Sequence, residues 1–205
     1  MNSAQGLISA ENIGKNYGKG DVLKGVSLGV LRGERIGIVG RNGGGKSTLL
    51  RILVGAETPD SGRVSFLSGL SLEYLAQVDS FAPGDTIISA IFGESAIHSW
   101  ASDPRARAVL EGLFGSHKSE EVDRPIEGLS GGERRRVSLA KLLVSDHDII
   151  CLDEPTNHLD VEGVHWLAEY LKQERGLAVV VITHDRWFLD EVSDKTWEVV
   201  NAGVS

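Results

Sequence analysis

Eight consecutive residues, Gly40-Arg41-Asn42-Gly43-Gly44-Gly45-Lys46-Ser47, have the types and spacing of a loop that cradles phosphate. Glycines let the backbone curl with its N–H groups inward, and the positive end of a following helix adds to the attraction for a polyphosphate. Lys46 contributes a mobile ammonium able to reach the outer phosphates of a nucleotide. The Ser47 hydroxyl is a hard oxygen donor suited to Mg²⁺. A glycine-rich turn with a chance Gly-Lys-Ser is the bland alternative. It loses because an apolar strand-like run, Ile36 to Val39, precedes the loop and a helix-like run, Thr48 to Val54, follows it, in the order such a loop requires.

About a hundred residues on, Asp153 and Glu154 stand side by side after the apolar run Asp148 to Leu152. Two acids at a strand end are often merely solvated. In a chain that also carries a phosphate loop, Asp153 is placed to hold Mg²⁺ directly or through water, and Glu154 to polarise a water attacking the terminal phosphate.

The elements that must position these groups alternate between strand and helix, which suits a mostly parallel sheet flanked by helices. After a turn over Glu57 to Gly62, Arg63 to Leu67 and Leu72 to Ala76 read as strands. Helical patterning holds from Asp85 to Leu143. It includes Thr86 to Phe92 and a helix over Arg105 to Phe114 that Asp103 caps and Pro104 opens. Ser130 and Glu133 form a capping box for Arg134 to Leu143. Val161 to Leu171 is a further helix, and Leu177 to Ile182 is a strand too apolar to be exposed on either face. Trp166, Trp187 and Trp197 lie in apolar settings and are expected in the core.

Composition narrows the classes. With 205 residues and 41% apolar content the chain suits one α/β domain with an ordinary soluble core. A net charge of −8 argues against a generic grip on nucleic acid, although Arg134-Arg135-Arg136 is a local basic run. The helix there reads as solvated, paired with nearby acids, with an RNA contact as the functional alternative. The single cysteine, Cys151, cannot form an internal disulfide and reads as a buried strand residue. Residues 1–10 lack the pattern of a signal peptide, and no run approaches the roughly 18 apolar residues of a membrane span. The expected location is cytoplasmic.

Leu129-Ser130-Gly131-Gly132-Glu133 completes the pattern, and residues 7 to about 200 resemble the nucleotide-binding domain of the ATP-binding cassette (ABC) ATPases. The resemblance implies a P-loop NTPase fold. Its parts are a mostly parallel sheet core, an N-terminal antiparallel β portion and a small helical subdomain at about 85–143. It implies ATP and Mg²⁺ as ligands, and ATP hydrolysis as the activity. Gly40, Asn42, Gly43, Gly44, Gly45, Lys46, Ser47 and Thr48 would bind ATP, with Tyr17 stacking on adenine. Ser47, Gln77 and Asp153 would hold Mg²⁺. Glu154, His184 and Gln77 would be the catalytic group. Ser130, Gly131, Gly132 and Glu133 would contact a nucleotide on an opposing cassette, and Asp160 would close the D-loop.

Within the family, Pro155-Thr156-Asn157-His158-Leu159-Asp160 looks like the ABC-F subfamily, whose members carry two cassettes in one chain without membrane domains and include factors acting on the ribosome. That likeness implies a first cassette whose linker and second cassette lie elsewhere, and a ribosomal partner. The ATPase subunit of a membrane transporter, with a permease as partner, and a DNA-associated ABC ATPase are the alternatives. The short stretch between Gln77 and Leu129 leaves little room for the long arm of some ABC-F members. Gly44, where relatives often have a larger residue, makes three successive glycines, each costing roughly 0.5–1 kcal/mol to order.

Overall fold

Eleven-residue strands open the chain: β1 (Gly6–Asn16) and β2 (Asp21–Leu31) pair antiparallel, with Gly6 opposite Leu31 and Asn16 opposite Asp21. A later strand, β4 (Ser61–Phe66), joins the other edge of β1, also antiparallel, to give a three-stranded sheet. The computed structural model describes residues 5–18, 20–93, 100–115 and 123–205. Parts of the expected helical region, 94–99 and 116–122, lie outside the described residues.

A second sheet has six strands in the order β5-β6-β7-β3-β8-β9. These are β3 (Arg35–Gly40), β5 (Leu72–Leu75), β6 (Ile149–Asp153), β7 (Ala178–Ile182), β8 (Lys195–Val200) and β9 (Gly203–Val204). The pairs β6–β7, β7–β3 and β3–β8 are parallel, and β9 returns antiparallel on β8. All five residues of β6 and all five of β7 are buried, as expected of parallel strands covered on both faces. Cys151 is one of them and burial pushes its thiol far above its usual value, which makes it inert.

Chain contacts divide the protein into two compact units. The first comprises 1–74, 147–154 and 174–205, and the second comprises 75–146 and 155–173. In the first, α1 (Lys46–Leu53) buries Leu49, Leu50, Ile52 and Leu53. They share one core with Leu7, Ile13 and Val30 of the antiparallel sheet and Ile36, Ile38, Val180 and Trp197 of the parallel one. Helix α6 (Arg186–Val192) lies on β3 at Gly37, where an added methyl would meet Leu189 Cδ1 at 2.4 Å.

The second unit is helical: α2 (Ile87–Phe92), α3 (Pro104–Phe114), α4 (Gly131–Leu143) and α5 (Val161–Gln173). Thr86 caps α2 in a capping box, and Asp103 accepts from Arg105 N with Pro104 in the first turn of α3. Helix α4 starts three residues before the sequence pattern suggests. The Ser130 cap takes Gly131 and Gly132 into the first turn despite their poor propensity.

The tryptophans divide. Trp197 is 5% exposed and in the core, as expected, but Trp187 is 39% exposed. It sits at the second position of α6 while the turn's apolar contact goes to Phe188, which is fully buried. Trp166 is half-buried, with its ring 5.1 Å from that of Tyr170 and its face against α3 at Gly112.

A methyl added at Gly112 would lie 1.9 Å from Trp166 Cε2. Replacing a helical glycine by alanine ordinarily gains about 0.5–1 kcal/mol, whereas overpacking costs about 1–3 kcal/mol. Gly112→Ala is therefore expected to destabilise the protein, read as a lower urea midpoint with a shift in tryptophan emission. Stabilisation would mean that α3 and α5 are not packed this closely.

Candidate nucleotide site and its family

The parallel register brings three strand ends to one edge of the sheet. β3 runs out at Gly40 into the phosphate loop, β7 at Ile182 into Thr183-His184, and β6 at Asp153 into Glu154. Because β7 lies between the other two, His184 emerges between the loop of Lys46 and the two acids. Ligands of open parallel sheets gather at this carboxyl edge.

Two of the loop's glycines, Gly45 and Gly44, show what the turn requires. Gly45 precedes α1 with φ 104°, in left-handed space, and an added methyl would meet Val22 Cγ1 at 2.9 Å and Val22 O at 3.0 Å. Gly44 has no unusual φ, but a methyl there would sit 2.9 Å from the Arg41 carbonyl oxygen, to which Gly44 N donates at 3.0 Å. The third glycine thus permits this tight turn. Helix α1 starts without a capping side chain and without an acid in its first turn, so its leading N–H groups face the loop with nothing competing for an anion. Lys46, only 8% exposed, donates from Nζ to the carbonyls of Gly40 (2.9 Å) and Arg41 (3.2 Å). That holds the ammonium across the loop and leaves its third N–H for a phosphate oxygen. Asn42 and Gly43 form the exposed tip, Ser47 is half-buried, and Thr48 is buried in the first turn of α1.

Asp153 is 2% exposed and Glu154 6%. Glu154 has φ 52°, a left-handed conformation that costs a non-glycine residue about 1–2 kcal/mol. Its own N donates to Ile182 O at 2.8 Å, while its carboxylate accepts from His184 N at 3.2 Å and lies 3.3 Å from His184 Nε2. The strained backbone and the imidazole together fix where this carboxylate points.

Tyr17 is 52% exposed. Its hydroxyl donates to Glu57, which also binds Arg51 Nε (3.0 Å) and Lys15 Nζ (3.4 Å), and the Lys15 ammonium lies 5.5 Å from the Tyr17 ring centre. The Glu57 carboxyl is held below its usual range by these hydrogen bonds, from Tyr17, Arg51 and Lys15, against the opposing effect of burial. Sequence reasoning missed this anchor, since Tyr17 and Glu57 are 40 residues apart.

The remaining expected residues belong to the second unit. Gln77 is exposed just after β5. Ser130 and Glu133 make the expected capping box: Ser130 N donates to Glu133 Oε2 (2.9 Å), Ser130 Oγ to the same oxygen (2.8 Å), and Glu133 N back to Ser130 Oγ (3.3 Å). Gly131 is exposed, and a methyl at Gly132 would lie 2.9 Å from the His158 carbonyl oxygen, which accounts for that glycine. Asp160 caps α5 through Gly163 N (2.8 Å) and pairs with Arg136 Nη2 at 2.5 Å.

The sequence profile of the ABC transporter family matches residues 23–157, from β2 through both acids to the D-loop approach. The chain belongs to the ABC transporter family. It is 36% identical to the tylosin resistance ATP-binding protein TlrC of Streptomyces fradiae, over 99% of this chain and 44% of that protein. It is also 36% identical to the energy-dependent translational throttle protein EttA of Haemophilus influenzae, over 93% of this chain and 41% of that one. Among solved structures, that titled RNase-L Inhibitor superposes with a TM-score of 0.81 at 31% identity, over 96% of this chain and 37% of that chain. The chain spans about two fifths of the length of these relatives.

This ABC cassette is an ATP-binding domain with the expected P-loop fold. In the first unit the Ser47 hydroxyl and the Asp153 carboxylate are hard oxygens of the kind that Mg²⁺ prefers. No helix among the described residues is long and apolar enough to cross a membrane.

The arginine run departs from its sequence reading. Arg134 donates to Glu127 O at 3.0 Å and Arg136 to Asp160, while Arg135 is 2% exposed and bonds inward to Ala76 O and Asp79. A signal was available: Arg135 shares a face with the buried Leu139 and Leu142, at helical spacings of four and seven.

Two outcomes are expected. Gly45→Ala should weaken ATP binding by roughly tenfold, the equivalent of about 1–2 kcal/mol of left-handed strain, as read by titration calorimetry. An unchanged affinity would mean that the loop adopts another backbone. Glu133 has its carboxyl held down to about 2, chiefly by Ser130 N, then by the Ser130 hydroxyl and Arg124. Its contribution to stability is thus complete above the ordinary value of 4.5 and is lost as pH falls from there toward 2. Melting followed by circular dichroism should show part of that acid loss disappear in Glu133→Gln. An identical pH profile would remove Glu133 as its source.

Proposed function

We propose that this cassette hydrolyses ATP and is the ATP-driven half-site of an ABC-F protein that acts on the ribosome together with a second cassette. The observation that carries hydrolysis is the Glu154 carboxylate, buried at the strand end beside Asp153 and held by the backbone N and the Nε2 of His184. A carboxylate so fixed can take a proton from a water aligned for in-line attack on the γ-phosphate. The Lys46 ammonium and the N–H groups opening α1 neutralise the charge that develops on the phosphoryl oxygens. Ser47, Asp153 and Gln77 would hold Mg²⁺, which would supply further charge neutralisation. Gln77 and His184 orient the water and the phosphate, and Tyr17 receives the adenine.

In this reading Ser130, Gly131, Gly132 and Glu133 serve the nucleotide of the opposing cassette, so each site is completed by pairing. The linker and second cassette belong to the longer protein, and 1–205 is one cassette domain of it. The ribosomal partner is supported by Asn157-His158 before Asp160 and by the likeness to a protein named as a translational throttle. A cytoplasmic location follows from that partner.

The test uses the longest natural chain carrying this cassette, with Glu154→Gln. Turnover should fall by about 100-fold or more with ATP affinity retained, the scale of a lost general base. The variant should co-sediment with purified ribosomes only when ATP is present. Unimpaired turnover would remove Glu154 from the chemistry. Absence of ATP-dependent ribosome binding would overturn the ribosomal reading, and co-purification with a permease would replace it by the transporter one.

A further inference from the structure

The charged side chain of Arg135 is buried inside the second unit, at 2% exposure, one turn into the helix that Ser130 opens. Burying a guanidinium is unfavourable unless its donors are matched by acceptors. Two of its acceptors lie on one short loop: Nη1 donates to the Ala76 carbonyl at 2.6 Å and to Asp79 Oδ1 at 3.1 Å. These two residues bracket Gln77 and Val78. A single nitrogen therefore clasps both ends of a four-residue loop, and the residues between are turned outward: Gln77 is exposed and Val78 is 80% exposed. Asp79 is itself largely covered, with its side chain 15% exposed, so cation and loop each leave the other uncompensated if the clasp opens.

We infer that Arg135 is a positioning residue for Gln77, fixing the loop that displays the Gln77 amide to the helix that presents Ser130. The inference rests on the reading of Gln77 given above, and it assigns to the second residue beyond Glu133 a role distinct from the signature's own contact with nucleotide. Lysine is a poor substitute, because a point charge on a flexible stem lacks the rigid planar group that fixes the two N–H bonds of Nη1, which here serve a carbonyl and a carboxylate. Arg134 and Arg136, on either side, bond to Glu127 and Asp160 and take no part in the clasp.

The test is made in the longest natural chain that carries this cassette. Hydrogen bonds to charged groups contribute about 1.5–3 kcal/mol, so Arg135→Lys is expected to speed amide exchange in the peptide spanning 76–80 by about tenfold or more. The peptide spanning 137–143 in α4 should exchange as before. The same variant should lower kcat by about tenfold while ATP affinity measured in EDTA stays within about twofold. Gln77→Ala should give a comparable kcat loss, and the double variant should lose no more than Gln77→Ala alone.

If Arg135→Lys does not fold, Arg135→Met with Asp79→Asn removes the cation and its acid together and is read in the same way. A loop exchanging at the unsubstituted rate, or losses that multiply in the double variant, overturns the proposal. A chain in which Gln77→Ala leaves turnover unchanged overturns the role of Gln77 instead, and loop exchange then decides by itself whether Arg135 holds the loop.

Discussion

Parallel pairing of β6, β7 and β3 is the constraint from which the nucleotide site follows. In register, Asp153 lies opposite Ile182 and Ile182 opposite Ile38, so three chain segments distant in sequence leave the sheet at one edge within a few residues of one another. No side chain has to reach far. The phosphate loop, His184 and the two acids are each delivered by their own strand, and side-chain length serves only the last few ångströms. The antiparallel sheet and α1 complete the same core, which ties Tyr17 and its Glu57 anchor to the scaffold that carries Lys46.

The cost of the arrangement is concentrated where it is used. Among the described residues the buried polar or charged side chains are Lys46, Thr48, Arg135, Asp153, Glu154 and Thr183. Five of the six stand in or beside the three loops at the sheet edge, and the sixth closes the loop of Gln77. Each charge is unfavourable in the interior unless its hydrogen bonds are supplied, and the strained φ of Glu154 adds to the cost. The buried apolar residues of β6 and β7 supply burial that offsets it. Rearranging the site would therefore mean breaking hydrogen bonds to buried charges.

Much of this could be read in the sequence because the relevant signals are local. The phosphate loop, the acids after an apolar run, the Ser130–Glu133 capping box and the Asp103-Pro104 helix start each occupy a few adjacent residues, and element ends differed from expectation by only one to three positions. What escaped depends on partners far apart in the chain. Arg135 looked like part of a solvated basic run because its acceptors lie some 56 to 59 residues earlier. Glu57 sits in an ordinary turn until Tyr17 is folded against it. Trp187 looked like core, but its turn of helix offers one inward position and Phe188 takes it. Local chemistry announces itself, whereas a side chain's depth is decided by the elements that close over it.

The position of β7 between β6 and β3 also bears on how the chain emerges during synthesis. Ala178–Ile182 is the last of these three strands to be made, yet it is the one that separates the other two. Until it arrives, Ile36 and Ile38 on one side and Ile149 to Leu152 on the other have no shared neighbour, and three strand edges wait: one of β6 and both of β3, whose other partner β8 is made later still. Pairings of such long sequence separation form slowly and leave apolar edges open to aggregation. The nascent cassette therefore cannot complete its parallel sheet until Lys195–Val200, the strand on the far side of β3, has also been made.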